Sequence, residues 1–376
     1  MKKFAVVSGL VLASGLCWVE GSQAVEFAVV GARAAGMGGA GVAVTSDAYA
    51  TYWNPAGLAM TKTIDIRVGF SIQAIDRVGV NDTLKEIENL DKNNVTNLNQ
   101  LQSLADKINR PGASVSAIGA GGLYLKGYYG DHAFGVSVAD VATAGMFAPT
   151  RLVAQNNGGT LSVNGQLALQ GLEARQATFS YAYAFLDRTF SIGVTGKLIQ
   201  GAAYNGTASV TNGEVDVADS LGKAKLSTAF GIDVGAVYRP SSWLRLGIVA
   251  KDINAPSFDT KTAGQQFKLE PQVRGGVAVN PWESLTVTAD MDVTSNRTLT
   301  PGIKSQVLSL GAEQTVFSEM FAFRVGAFKN TADANSFITP TAGIGIRLFA
   351  LRVDVGGGYD FRERGALASG TVAMTF

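Results

Sequence analysis

The sequence predicts an all-β transmembrane barrel of the outer-membrane type, with about fourteen antiparallel strands. Three observations carry this expectation. Apolar and polar residues alternate along segment after segment. The connections between those segments are short and long in turn. Beyond the N-terminal leader, the chain has no run of about 18 apolar residues that could cross a membrane as a helix, although 47% of its 376 residues are hydrophobic and only 16% charged.

The leader comes first in the chain. Lys2 and Lys3 precede an apolar run from Phe4 to Val19, and Ser22-Gln23-Ala24 has the small-x-small form of a signal-peptidase site. Residues 1–24 therefore read as a cleavable signal peptide, and the mature protein, starting at Val25, is expected in a Gram-negative-type cell outer membrane. The one cysteine, Cys17, falls in the leader, so the mature chain is expected to have no thiol, disulfide or cysteine metal ligand. Leu16 before it does not suit lipoprotein processing. Removing Lys2, Lys3 and Glu20 leaves 29 basic and 29 acidic residues from 31 and 30. A balance of zero gives no reason to expect a nucleic-acid partner.

Residues 25–60 are a separate unit. From Gly31 to Ala50 they are nearly all small, and they then close on Tyr52, Trp53, Asn54, Pro55 and Gly57. So few bulky side chains cannot build a core, so the segment must lie against something else. Gly36, Gly38, Gly39 and Gly41 let the backbone run close to a crowded wall. Asn54-Pro55 fixes a turn, Trp53 is expected to wedge against lumen residues, and Arg33 and Asp47 to supply polar anchors. We read this unit as a hatch inside the lumen of a barrel formed by residues 61–376.

The alternation is clearest at Ile64, Ile66, Val68, Phe70 and Ile72 against Asp65, Arg67, Gly69, Ser71 and Gln73. It recurs over Leu285–Val293 and Leu351–Gly356. Strands are expected near 63–79, 114–126, 132–146, 165–185, 189–203, 225–238, 242–253, 268–279, 284–293, 304–315, 320–329, 339–348, 350–361 and 366–376. Short turns are expected around Gly130-Asp131, Leu186-Asp187, Pro240-Ser241, Pro281-Trp282, Ser318-Glu319 and Phe349-Ala350. The long connections are 80–113, 147–164, 204–224, 254–267, 294–303 and 330–338. In an outer-membrane barrel the short turns are periplasmic, whereas a soluble sandwich has no reason to sort its loops. The chain ends on Val372, Met374 and Phe376, alternate apolar residues that resemble the last strand of bacterial outer-membrane barrels. Trp243 and Trp282, near short turns, suit an aromatic girdle. The insert 81–110 breaks the β pattern: Leu98, Leu101, Leu104 and Ile108 recur at helical spacing, and Pro111-Gly112 stops the helix. A lid over the mouth and a solvated loop helix are both consistent with it.

Arg245, Lys251, Arg274, Asp290, Asp292, Glu313, Arg324, Arg347, Arg352, Asp354 and Asp360 all fall on the polar phase of their strands. In a barrel that phase faces the lumen, and Asp290 is expected to pair with Arg245 or Arg274 across the wall. Lys251 and Asp292 belong to the same network. No catalytic, cofactor or metal site is expected. Gly36–Gly41 matches G-x-G-x-x-G but lacks the strand-turn-helix setting that makes it bind dinucleotides. His132 is the sole histidine, beside a tight turn and without a polar partner that could complete a triad or a metal cluster.

The hatch residues Arg33, Gly36–Ala40, Asp47, Ala48 and Trp53–Gly57 resemble the N-terminal plug of the FadL-like outer-membrane proteins. Leu246–Asn254 with Pro256 and Phe258, Glu270–Gly276 and Ala289–Val293 resemble the branch named conjugal transfer protein TraF. The resemblance implies a fourteen-stranded barrel with an internal hatch. It leaves two function classes open. One is a channel for hydrophobic small molecules across the outer membrane. The other is a structural or assembly component of a conjugative transfer or protein export apparatus. Membrane lipid is an expected partner in both. A hydrophobic small-molecule ligand belongs to the first, and secretion or conjugation components to the second.

Overall fold

A computed structural model describes residues 22–24, 27–211, 214–215 and 223–376. Most of the leader, including Cys17, lies outside the described residues; of it, Ser22–Ala24 forms a short strand parallel to Gln266–Lys268.

Fourteen antiparallel strands close into a barrel. In chain order they are β1 (Asp65–Arg77), β2 (Ser114–Tyr129), β3 (His132–Phe147), β4 (Thr160–Phe185), β5 (Phe190–Thr211), β6 (Lys225–Ser241) and β7 (Leu244–Lys251). Then come β8 (Gln272–Trp282), β9 (Leu285–Asp292), β10 (Val307–Val316), β11 (Phe321–Asn330), β12 (Thr339–Leu348), β13 (Leu351–Asp360) and β14 (Gly365–Thr375). Each strand pairs with its neighbours in the chain, and β1 pairs with β14, Asp65 opposite Thr375. Closure leaves no edge of unpaired backbone groups, which the interior of a bilayer requires.

Strand positions follow the alternation in the sequence. Ile66, Val68, Phe70 and Ile72 point outward and exposed, while Asp65, Arg67 and Ser71 point inward and buried. Outward residues thus form an apolar band, and the lumen takes the polar phase. The short turns gather on one rim. Two are displaced from their expected positions: β6 runs through Pro240-Ser241 and β8 through Pro281-Trp282, so the turns fall at 242–243 and 283–284. A register shift between Leu244 and Leu246, and another between Val279 and Trp282, takes up the extra residues beside each proline. Trp243 and Trp282 are exposed at this rim. His132 lies there too, with Nδ1 2.8 Å from the hydroxyl of Tyr181, a partner that the sequence did not reveal.

At the opposite rim β4 and β5 rise above the other strands. The insert holds two helices, α3 (Val80–Asn89) and α4 (Leu98–Ile108). Their apolar faces pack on this extension, Leu84, Ile87, Leu101 and Ile108 meeting Leu152, Leu161, Val163 and Leu167. Asn109 clips the end of α4 to the Leu152 backbone, donating to its carbonyl (2.8 Å) and accepting from its N–H (2.7 Å). The helical face is covered by the barrel's own strands, so of the two alternatives a freely solvated helix is the one the packing disfavours.

Candidate functional site: a hatch clamped in a divided lumen

Residues 27–60 fold inside the barrel as the expected hatch. They contain α1 (Ala32–Gly36), α2 (Ala50–Trp53) and a 3-10 helix over Pro55–Met60. Asn54 starts that last helix, its side chain accepting from the Ala56 N–H (3.2 Å), and Pro55 occupies a position that needs no N–H. Trp53 turns inward on the hatch. Its ring lies against Gly41, Phe27 and Tyr52, and its indole N–H donates to Val30 (2.9 Å). It is therefore the core of the hatch more than a wedge against the wall, a correction to the expectation that so small a segment has no core.

The wall meets the hatch with glycines of its own. Gly38 sits at φ +69°, and a β-carbon there would be 2.4 Å from the Ala327 carbonyl oxygen. Opposite it, a β-carbon on Gly326 would lie 2.5 Å from the Gly38 nitrogen. Gly36 packs in the same way on Gly343, and a β-carbon on Gly235 would strike the Asn54 side chain. Gly39 also has positive φ, and Gly57 runs against the Thr45 carbonyl. Backbone thus lies on backbone, which explains why the small-residue tract and the glycines of the strands occur in the same chain.

Charged anchors hold one side of the hatch. Arg33 forms a fork with Glu313 (2.7 Å), and Glu313 also accepts from Arg324 (2.6 Å), which reaches Asp354 (2.8 Å). Arg352 completes the group on Asp354 (3.0 Å). Asp47 meets Arg67 (3.3 Å), and Asp65 binds Arg67 (2.7 Å) and accepts from the Ala48 N–H (2.9 Å). Asn54 donates to Val42, Ala236 and Ile248, linking the hatch to β6 and β7.

Asp290 departs from its expected pairing. It accepts from the N–H groups of Gly41 and Val42, both at 2.7 Å, while Arg274 pairs with Asp292 (2.5 Å) and Arg245 reaches only hatch carbonyls. The hatch passes so close to β8 and β9 that its backbone takes the carboxylate, which a pairing argument confined to the wall could not anticipate. Lys251 also lacks the expected carboxylate contact: its ammonium lies over the rings of Tyr52 (3.3 Å) and Phe27 (4.3 Å). Lys197 takes Asp233 (2.7 Å) and Asp252 (2.5 Å) beside it.

The other side of the lumen is nearly uncharged and mixes apolar residues with neutral polar ones such as Ser137, Thr143, Gln176 and Thr178. Along β2, β3 and β4 the inward positions include Ile118, Ala120, Tyr124, Ala139, Val141, Leu172 and Ala174, and their single charged member is Lys126 at the short-turn end. Against them lie Phe27, Val29 and Tyr52 of the hatch. A cavity of about 40 Å³ joins Phe27, Tyr52, Val141, Leu172 and Leu269 on its apolar side to Gln176, Lys197, Lys251 and Asp252 on its polar side, and another of about 60 Å³ lies by Phe27, Val29 and Arg274. Each has room for a few waters only.

A model of the family described as "F plasmid transfer operon, TraF, protein" matches residues 51–292. The chain belongs to this TraF family. No curated protein matches the sequence of this TraF-family barrel. Among solved structures it is similar to the "TodX deltaS2S3 mutant monoaromatic hydrocarbon channel", with a TM-score of 0.57 at 11% identity, covering 92% of this chain and 98% of that one. It is similar also to the "CymD monoaromatic hydrocarbon channel" (TM-score 0.56, 15% identity, 94% and 98% covered). A third is the Ralstonia pickettii toluene transporter TbuX (0.54, 14%, 92% and 97%). At such identities the likeness concerns the fold alone, the barrel that these channels share with this chain.

Proposed function

We propose that this TraF-family barrel is a gated channel that passes hydrophobic small molecules across the outer membrane, with the hatch as its gate. The observation that carries the reading is the nearly uncharged lumen face of β2 to β4, whose apolar residues lead to Phe27 and Tyr52 on the hatch. A water-filled pore for ions has no use for such a face, whereas an apolar solute loses nothing by leaving water along it. Because the cavities beside the hatch are too small for a substituted benzene, passage requires the hatch to shift. The short-turn rim faces the periplasm in this reading, the leader is removed after Ala24, and the solved channels of like fold, which carry monoaromatic hydrocarbons by their titles, support it.

The test is uptake of a panel of radiolabelled apolar solutes into cells or vesicles with and without the barrel. Expected is faster entry of apolar solutes than of glucose, abolished by Ala139→Asp, which places a carboxylate in that face while the barrel still assembles. Equal entry with and without the protein sinks the channel reading. The family description favours a second reading, an assembly component of a conjugative transfer apparatus docked through its outer loops. Loss of DNA transfer on deletion, with solute entry unchanged, would select it.

A further inference from the structure

Arginines in this lumen come with carboxylates. Arg67 has Asp65, Arg274 has Asp292, and Arg324 has Glu313 and Asp354. Arg245 and its neighbour Arg239 have no carboxylate partner among the described residues, and of the two Arg245 reaches the hatch. Arg245 is the second residue of β7, two beyond Trp243 at the short-turn rim, and its side chain points into the lumen towards Ala43 and Val44 of the hatch. Its Nη1 lies 3.4 Å from the carbonyl oxygens of Ala43 and Val44, the far limit of a hydrogen bond, and its Nε is buried without a partner among the described residues. Arg33 reaches the same Val44 oxygen with its Nη1, also at 3.4 Å. Two guanidinium groups therefore converge on one neutral atom; Arg33 has Glu313, and the acids that could neutralise Arg245 are engaged, Glu313 by Arg33 and Arg324, Asp354 by Arg324 and Arg352, Asp47 by Arg67.

We infer that the lumen holds an oxyanion site between Arg33 and Arg245, filled by a carboxylate or phosphate group that enters at the short-turn rim. Crowded like charges with unsatisfied N–H donors are costly to bury, and a bound anion removes both penalties. Guanidinium forks suit planar or tetrahedral oxyanions, since each offers parallel donors to two oxygens. Arg33 is the pivotal member. It is the arginine by which α1 is tied to Glu313, so an anion seated beside it competes for the same donors and loosens the hatch from its rim side. The shared chemistry has two sources, a free periplasmic anion and the acidic head of an amphiphile.

The test uses the full barrel purified in a non-ionic detergent at low salt, with inorganic phosphate as the probe and its ³¹P line width as the readout. The wild type should broaden the phosphate line, acetate should relieve the broadening, and Arg245→Gln should weaken it by about tenfold or more. Octanoate that displaces phosphate at far lower concentration than acetate identifies an amphiphile's head as the occupant, and equal displacement identifies a free anion. An unbroadened line with the wild type, or one broadened equally by Arg245→Gln, overturns the site. If Arg245→Gln fails to assemble, the wild type decides alone: broadening that acetate and octanoate leave untouched is non-specific and overturns it as well.

Discussion

The two halves of the lumen hold the same hatch by different physics. From β8 to β13 the inward face carries Arg274, Asp290, Asp292, Glu313, Arg324, Arg352 and Asp354, nearly all buried and paired with each other or with the hatch backbone. From β2 to β4 it carries neutral residues, apolar ones such as Ile118, Val141 and Leu172 beside Ser137, Thr143, Gln176 and Thr178, with Lys126 as its one charge. Charged hydrogen bonds need fixed geometry and are expensive to leave unmade. Apolar contacts are non-directional and survive a slide. On the channel reading proposed above, a segment fastened by many ion pairs on one side and, from β2 to β4, chiefly by Lys126 on the other can swing, with the charged half as the hinge and the nearly uncharged half as the place where a path opens.

The change with the largest expected effect removes the comparison by removing the hatch from its seat. Gly38→Trp puts a ring where even a β-carbon meets the Ala327 carbonyl at 2.4 Å, at a φ of +69° that strains any other residue. Heat-modifiable migration on gels should be lost. Normal assembly of the Gly38→Trp barrel would mean that the hatch does not press on β10 and β11.

The next separates the halves directly. Glu313→Gln leaves Arg33 and Arg324 without their shared carboxylate, and breaking such a buried group costs roughly 3 to 5 kcal/mol. Val141→Ala in the nearly uncharged half removes two methyl-sized groups, about 1.5 kcal/mol. Unfolding in denaturant should show that order, and ion conductance should rise for Glu313→Gln alone. Equal costs and equal conductance would show that the anchors on the charged side do not bear the hatch.

How far the sequence could be read follows the same division. Strict period-2 alternation fixed which residues face inward, because every side chain on a strand must choose one of two faces. That the tract around Arg33 and Asp47 must lie against a wall was legible, because so few bulky side chains leave a segment little else to pack on. The partner of Asp290 was not legible. It depends on where the hatch backbone runs, and the Gly41 and Val42 N–H groups carry no signature in the sequence. The nearly uncharged sector was hidden for another reason. Along β2 to β4 small neutral residues occupy the inward phase and larger apolar ones the outward phase, so Ala139 and Val141 differ little from Val136 and Val138 except in facing the lumen. The meaning of the wall glycines lies in their register with the hatch, which composition does not show.

A smaller effect sharpens that corrected pairing. Asp290→Asn keeps an acceptor for the hatch N–H groups and should cost about 1 to 3 kcal/mol. Combined with Arg274→Met it should be additive within about 0.5 kcal/mol, as for sites that share no partner. A larger coupling would return Asp290 to the wall network and weaken the case that the hatch backbone is its partner.

The smallest effect lies where the two halves touch. Tyr49 of the hatch and Tyr124 of β2 meet edge to face, with ring centroids 4.8 Å apart. Tyr49 faces the polar side, its hydroxyl 3.0 Å from that of Thr371, whereas the Tyr124 hydroxyl is buried without a partner among the described residues. Tyr49→Phe should therefore lose about 0.5 to 1.5 kcal/mol, the usual worth of one hydrogen bond. Tyr124→Phe removes a hydroxyl that was buried at a cost and should be neutral or stabilise by up to about 1 kcal/mol. It should also leave the entry of apolar solutes unchanged or faster. Paired measurements in one detergent cancel whatever the detergent does to the barrel, so the sign of the difference between the two variants is the quantity to read. If Tyr124→Phe is as costly as Tyr49→Phe, its hydroxyl is bonded to water, the lumen beside β2 and β3 is wet, and an apolar path along it loses its physical basis.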